Sequence, residues 1–401
     1  MFNIKVNKII LIKDWYASII YNLLINNIIF QRLSLEISQS YATGRLPKNN
    51  MTKLNNKKYG LPSGVSQPQR GSFLLNHLRI YHTDKINNSY FNIKEWLVGI
   101  TDGDGTFNVY TNIENKKIIF TYKISLTNKN IELLYKIKEN LGIGTINIDK
   151  NIVSYLIRDK KDLINIVIPI FDKYPLLTSK RFNYLKFKEC LIISNNNMIH
   201  QVDKINIINN IKNKSINENY MSDVWDNIIL TENILLNRLD SNLLMDYSIQ
   251  KTIGENKQFI SKINNIITKS WIIGFIEAEG SFFITKKTLS RYVHSFGVTQ
   301  KLDPIILLSI KYLWDINSSV QLRNPKNSQG TYYKLETTNL KNIELIIKYF
   351  RYSNYKSVFL GIKSFEYRVW TRTYLKYKNN PIKLIEAQNL IRRYRKNINT
   401  K

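Results

Sequence analysis

Cysteine and histidine are the first things this chain is short of: one cysteine, Cys190, and four histidines in 401 residues. A lone thiol excludes a disulfide scaffold and cysteine-based zinc knuckles, and four imidazoles are too few for a histidine metal cage. Acids are scarce as well. Thirty Asp and Glu stand against 59 Lys and Arg, a formal charge of +29, which calls for a polyanionic partner: nucleic acid first, an acidic membrane surface second. Long hydrophobic runs are missing too. The apolar stretches Ile9-Ile-Leu-Ile12 and Ile19-Ile-Tyr-Asn-Leu-Leu-Ile25 are interrupted by Lys13, Asp14 and Asn22, and neither approaches the roughly 20 residues that span a bilayer, so stable membrane insertion is not expected. What remains is ample for a core, with an apolar fraction of 43% over a length that holds two or three domains.

Against that background one stretch occurs twice. Trp96-Leu-Val-Gly-Ile-Thr-Asp-Gly-Asp-Gly-Thr-Phe107 returns as Trp271-Ile-Ile-Gly-Phe-Ile-Glu-Ala-Glu-Gly-Ser-Phe282, with Trp, two Gly and Phe identical and the acids paired as Asp102 with Glu277 and Asp104 with Glu279. Each copy reads as a short apolar helix ending in acids and then in Gly105 or Gly280, where a left-handed cap is expected. Small residues four apart, Gly99 with Gly103 and Gly274 with Ala278, leave flat faces on which two helix backbones can approach closely. Packed on those faces, the helices would bring Asp104 and Glu279 together beside two negative helix ends. That arrangement repels itself. A bound divalent cation would relieve it, and oxygen ligands suit a hard ion such as Mg²⁺ (or Mn²⁺). An EF-hand reading of Asp102-Gly-Asp-Gly105 fails, because the ligand ladder and closing Glu are absent.

The periodicity downstream also repeats. After Asn92 as N-cap with Glu95 at the third position, the first copy's helix is followed by alternating strands at Phe107–Tyr110 and Phe120–Leu126, turning near Glu114-Asn-Lys. Asn130 to Leu141 then reads as a helix stopped by Gly142, Ile146 to Ile157 as a hairpin, and Lys161 to Phe171 as a helix. The second copy gives strands near Ser281–Lys286 and Arg291–Val298, a helix through Asp303–Trp314, a hairpin around Asn324 to Gly330 and a helix over Leu340–Phe350. The expected class is α+β: two pseudo-symmetric α-β-β-α-β-β-α repeats forming antiparallel sheets around a central pair of motif helices. Expected boundaries are a basic N-terminal extension over 1–90, a first repeat over 91–194, an inserted Asn- and Ile-rich linker over 195–268 with helix around 226–244, and a second repeat over 269–401 ending in a basic tail.

The twin motifs, Leu97-Val-Gly-Ile-Thr-Asp-Gly-Asp-Gly105 and Ile272-Ile-Gly-Phe-Ile-Glu-Ala-Glu-Gly280, resemble the two signatures of a two-repeat LAGLIDADG homing endonuclease, the type encoded within organellar group I introns. The resemblance runs from about Asn92 to the C-terminus. It implies that the last acid of each motif, Asp104 and Glu279, is a metal ligand, with the carbonyls of Gly103 and Ala278 nearby, and that Asp102 and Glu277 are supports. Laying the halves over each other pairs Lys180 with Lys363, either of which could neutralise the transition state or order the attacking water. It also pairs the strand-end amides Asn128 and Gln300 as water-positioning candidates. An antiparallel ribbon fits the DNA major groove, so candidate base readers are Asn108, Tyr110, Lys123, Arg158, Thr285, Lys287, Arg291, Gln321 and Arg323. Arg158 has no mate in the second half.

Two functions then compete. One is a metal-dependent, site-specific DNA endonuclease, a homing enzyme that hydrolyses phosphodiester bonds in both strands of a long double-stranded target as a monomer and so promotes intron mobility. The other is a maturase that binds group I intron RNA and assists splicing, with or without cleavage. A basic ribosomal or membrane-surface protein would explain the charge but not the duplicated motif. The Asn-, Ile- and Lys-rich composition has A/T-rich codons, in keeping with an organellar gene and a mitochondrial location.

Overall fold

The computed structural model describes residues 91–217, 220–226, 257–324, 330–351 and 357–396. The expected N-terminal extension, nearly all of the helix expected around 226–244 and the tip of the second repeat's last hairpin lie outside the described residues.

Helix α1 (Ile93–Asp104) starts at Asn92, whose side chain accepts from the Lys94 amide, and it buries Trp96 through Asp102 without a break. The strands β1 (Gly105–Asn112) and β2 (Lys117–Thr127) follow as a hairpin. Helix α2 (Ile131–Leu141) ends where Gly142 turns left-handed at φ 71° and donates to the Lys138 carbonyl, as its sequence predicted. A second hairpin, β3 (Thr145–Asp149) and β4 (Ile152–Ile157), completes a sheet of order β1-β2-β4-β3. Helix α3 joins Lys160–Asp162, a π-helical stretch Leu163–Val167 and Ile168–Lys173. Two further helices close the unit, α4 (Lys180–Asn195) and α5 (Gln201–Lys212).

After α6 (Lys257–Ile266) the plan recurs: α7 (Lys269–Glu279), β5 (Gly280–Lys286), β6 (Tyr292–Gln300), α8 (Pro304–Leu313), β7 (Gln321–Arg323), β8 (Tyr332–Thr337), α9 (Leu340–Phe350), α10 (Ile362–Tyr377) and α11 (Pro381–Lys396). The second sheet has order β5-β6-β8-β7, the counterpart of the first. The expected α+β architecture with two antiparallel sheets is therefore present.

Three expectations need correction. Gly105 and Gly280 are extended, with φ −81° and −78°, and open β1 and β5 instead of capping left-handed. Glycine is required there because the chain turns straight from helix to strand: a Cβ on Gly105 would lie 2.4 Å from Thr101 Cγ2, and one on Gly280 2.4 Å from Ile276 Cγ2. Second, the region expected to be a linker opens with α5, which packs on α4 and β1 as α11 packs on α10 and β5. Third, the basic C-terminal stretch expected to be a tail of the second repeat contains the helix α11. The hydrophobic period in α5 is diluted by Asn and Lys, so only its burial of Ile205, Ile208 and Ile211 against the sheet reveals it. These helices cover the edge strands β1 and β5. Lys212 Nζ donates to Thr111 Oγ1 at 2.7 Å, and Gln388 Nε2 to the Ile284 carbonyl at 2.6 Å.

The inner face of each sheet carries a matched aromatic cluster. Phe107 packs on Tyr122, Phe171, Tyr184 and Phe187 with ring centres 5.1–5.4 Å apart. Its counterpart Phe282 packs on Phe296, Phe359, Tyr367 and Trp370 at 5.1–5.5 Å. Period-two alternation sends the remaining residues to the outer faces.

Candidate active site

The motif helices α1 and α7 pack backbone to backbone. A Cβ placed on Gly99 would fall 2.0 Å from the Trp271 carbonyl oxygen, and one on Gly274 would fall 2.1 Å from that of Trp96. No other residue fits at either position. Nearer the acids, Gly103 faces the Ala278 methyl, so the close approach holds along the whole contact.

This crossing brings the C-terminal acids side by side. Glu279 lies across α1: its Cγ and Oε1 are 3.3 and 3.6 Å from where a Gly103 Cβ would be. Burial raises both carboxyls, and the adjacent Asp104 charge adds to the rise of Glu279, which is pushed up to about 7. Lys180 and Lys363 pull both acids the other way. Lys180 Nζ donates to the Thr101 carbonyl at 3.1 Å and also to that of Gly103, while Lys363 Nζ donates to the Gly280 carbonyl and stands 3.8 Å from Glu366. Burial lowers the Lys180 ammonium below its ordinary value, opposed by Asp102, Asp104, Glu279 and Asp303. Two half-buried carboxylates and two ammonium groups thus share one end of the helix pair.

The inner acids of the motifs are fully committed. Asp102 Oδ2 accepts from the Leu177 amide and from Trp271 Nε1, and its Oδ1 accepts from the amide and hydroxyl of Thr178, at 2.6–3.0 Å. Glu277 does the same job in the other half, accepting from the Leu360 and Gly361 amides at 2.8 and 3.0 Å. Each therefore fixes the segment two residues ahead of a site lysine. Desolvation raises both carboxyls, Glu277 to about 7.

The two amides expected to position water are held in local structure. Asn128 Nδ2 donates to the Lys150 carbonyl in the β3–β4 turn, and Gln300 Nε2 donates to Asp303 Oδ2 at 3.3 Å. The base-reading candidates fall on the outer faces. Asn108 and Tyr110 are exposed on β1 and Lys123 is half-buried opposite Thr106, with Arg158 exposed one residue beyond β4. In the second sheet Thr285 hydrogen-bonds Ser295, and Lys287 and Arg291 form the β5–β6 turn. Gln321 and Arg323 are exposed on β7 and bonded to each other.

Sequence reasoning missed Asp303 and Asn130, which precede α8 and α2, and the segment Ser222–Trp225, whose Ser222 hydroxyl and Trp225 indole donate to the Leu176 and Leu177 carbonyls at 2.8 Å each. Asp303 before Pro304 is a readable N-cap signal; what it binds is not readable.

Among the described residues no cluster of three or more His, Cys, Asp or Glu could hold a metal. The fit for a hard cation is of another kind: two carboxyls that burial leaves reluctant to ionise, Glu279 further so beside the Asp104 charge, at the ends of two helices.

Known proteins match this chain along most of its length. The LAGLIDADG endonuclease family matches over residues 97–191 and 272–374. A probable intron-encoded endonuclease of Schizosaccharomyces pombe is 32% identical over 311 residues, covering 76% of this chain and 70% of that protein. An uncharacterized mitochondrial protein of Saccharomyces cerevisiae is 27% identical over 391 residues, 88% of this chain and 72% of the other. Among solved structures, the meganuclease I-SmaMI bound to uncleavable DNA superposes with a TM-score of 0.55 at 24% identity over 78% of this chain and 98% of its own, a likeness of fold. With twin motif helices meeting at glycine faces and a relative of this identity and coverage, the chain belongs to the LAGLIDADG endonuclease family.

Proposed function

We propose that this protein is a site-specific homing endonuclease that hydrolyses one phosphodiester in each strand of a long double-stranded DNA target, with a divalent metal, as a monomer containing two half-sites. The observation that carries the reading is the meeting of Asp104 and Glu279 at one end of the helix pair, flanked by Lys180 and Lys363. Asp104 and Glu279 are the metal ligands, supported by the Gly103 and Ala278 carbonyls. Mg²⁺ is the expected ion, with Mn²⁺ able to replace it. When bound, the ion supplies charge neutralisation at the phosphate and a more acidic water.

The chain's own groups do the rest. Lys180 and Lys363 oppose the effect of burial on the two acids, and they would partner the charge that develops on the phosphate. Asn128 and Gln300 remain the candidate water-positioning groups, Gln300 linked to the site through its bond to Asp303. Asn108, Tyr110, Lys123, Arg158, Thr285, Lys287, Arg291, Gln321 and Arg323 lie on or at the margins of the outer faces, where an antiparallel ribbon can meet base edges and phosphates. A splicing role on intron RNA would use the basic faces and have no use for the acid pair, so the acid pair favours cleavage. The names of the relatives, intron-encoded or mitochondrial, support an organelle-encoded protein acting in mitochondria.

The test is cleavage of a plasmid bearing the intronless junction of the host gene in the presence of Mg²⁺. Wild-type protein should linearise it, and Asp104→Asn or Glu279→Gln should abolish cleavage while leaving DNA binding intact. Full activity in either variant would overturn the reading.

A further inference from the structure

Each site lysine sits in the first turn of a helix, Lys180 on α4 and Lys363 on α10, directly after Ser179 and Ile362 respectively. Those two preceding residues are held by the opposite repeat. The Ser179 amide donates to Asp303 Oδ1 at 2.7 Å and its hydroxyl to Asp303 Oδ2 at 3.0 Å. The Ile362 amide donates to Asn130 Oδ1 at 2.9 Å. Asp303 and Asn130 occupy the N-cap positions of α8 and α2, yet neither side chain caps its own helix. Both are spent across the repeat boundary instead.

We propose that Asp303 and Asn130 are cross-repeat positioning residues, Asp303 for Lys180 and Asn130 for Lys363, and that they make the two half-sites unequal. This rests on the endonuclease reading above. The inequality follows from chemistry. Asp303 is a buried carboxylate with two donors from one residue, and charge-assisted hydrogen bonds are roughly twice as strong as neutral ones. Asn130 offers a neutral oxygen and a single bond. Asp303 also acts electrostatically on Lys180, and it takes the Gln300 amide on Oδ2, so it joins candidate catalytic groups from both repeats. A carboxylate is costly to bury for fold alone when Ser or Thr could cap α8 directly.

A group that only maintains the fold affects both DNA strands together; a group that orients one lysine affects one. Supercoiled target plasmid and a duplex end-labelled on each DNA strand separate the two. Asp303→Ala should slow cleavage of one DNA strand at least tenfold relative to the other, so that nicked circles accumulate, and Asn130→Ala should slow the opposite DNA strand by a smaller factor. Asp303→Asn and the milder Ser179→Ala should give the same strand preference as Asp303→Ala with a smaller effect, and either serves if the alanine variant unfolds. Equal slowing of both DNA strands, or the same DNA strand slowed by the Asp303 and Asn130 variants, would overturn the proposal. Wild-type protein in the same reaction separates the two readings, since its failure to cut either DNA strand would sink the endonuclease assignment itself.

Discussion

Replacing Gly99 by alanine tests the helix contact on which the site depends. The new Cβ would lie 2.0 Å from the Trp271 carbonyl oxygen, 2.9 Å from its carbon and 3.0 Å from the Phe275 amide nitrogen. Unbonded heavy atoms attract at about 3.5–4.0 Å, so α1 and α7 would have to part by roughly 1.5–2 Å. Alanine gains about 1 kcal/mol in helix propensity over glycine. Overpacking costs about 1–3 kcal/mol where side chains can adjust; here the neighbour is backbone, which cannot rotate away, and the cost exceeds that range. The net loss is about 2 kcal/mol or more, or a fall of about 4–8 °C in Tm at roughly 2–4 °C per kcal/mol for a domain of this size. Parting the helices also separates Asp104 from Glu279, and a misplacement of about 1 Å can cost about 100-fold in rate. Thermal unfolding followed by circular dichroism, with plasmid cleavage measured well below the Tm, reads both effects. Gly297→Ala is the control, since its Cβ would come no nearer than 3.4 Å to the Phe283 ring and 3.6 Å to the Leu335 carbonyl oxygen. If Gly99→Ala raises the Tm as an ordinary helix substitution would, the close-contact argument is wrong.

Other outcomes follow from the same geometry. Glu277, Glu279 and Asp303 have folded-state values near 7, above their unfolded values, so each contributes stability that is present at low pH and is lost as pH rises from about 4.5 to 7. The metal-free protein should melt lower at pH 7.5 than at pH 5.5, and the Tm increase on adding Mg²⁺ should be larger at pH 7.5, where Asp104 and Glu279 ionise more readily; a Mg²⁺ increase independent of pH would exclude that carboxylate seat. Lys180→Met should lower kcat for cleavage by about 100-fold or more with little change in DNA affinity, on the scale of removing one transition-state donor, as checked by single-turnover kinetics beside a binding titration. Trp225→Ala removes a fully buried side chain and its bond to the Leu177 carbonyl, and should cost about 3–5 kcal/mol in urea unfolding. A cost below about 1 kcal/mol would mean that this segment does not hold the Lys180 loop.

How much of this was legible in the sequence varied with the range of the interaction. Gly142 stopping α2, the Glu114-Asn-Lys turn and the alternation of Phe107 and Val109 with Asn108 and Tyr110 are local signals, and the structure places them as read. The helices α5 and α11 were not legible, because their apolar positions are diluted by Asn, Lys and Arg and their stability comes from covering β1 and β5. The inner acids Asp102 and Glu277 could be read as supports, but not as grips on Leu177-Thr178 and Leu360-Gly361, partners more than 70 residues away.

The duplicated Gly, small-residue and acid pattern determined by itself that two helices would meet and carry two acids to one place. Glycine at a spacing of four is a statement about how near a backbone can come, and that is written in the chain. Tertiary structure alone decided how the surroundings of the acids are held: the carbonyls that accept from the lysines of α4 and α10, the crossing bonds of Asp303 and Asn130, and the strap from Ser222 to Trp225. Hydrogen bonds between residues far apart in sequence leave no periodicity behind, because their geometry exists only once the two repeats have closed on each other.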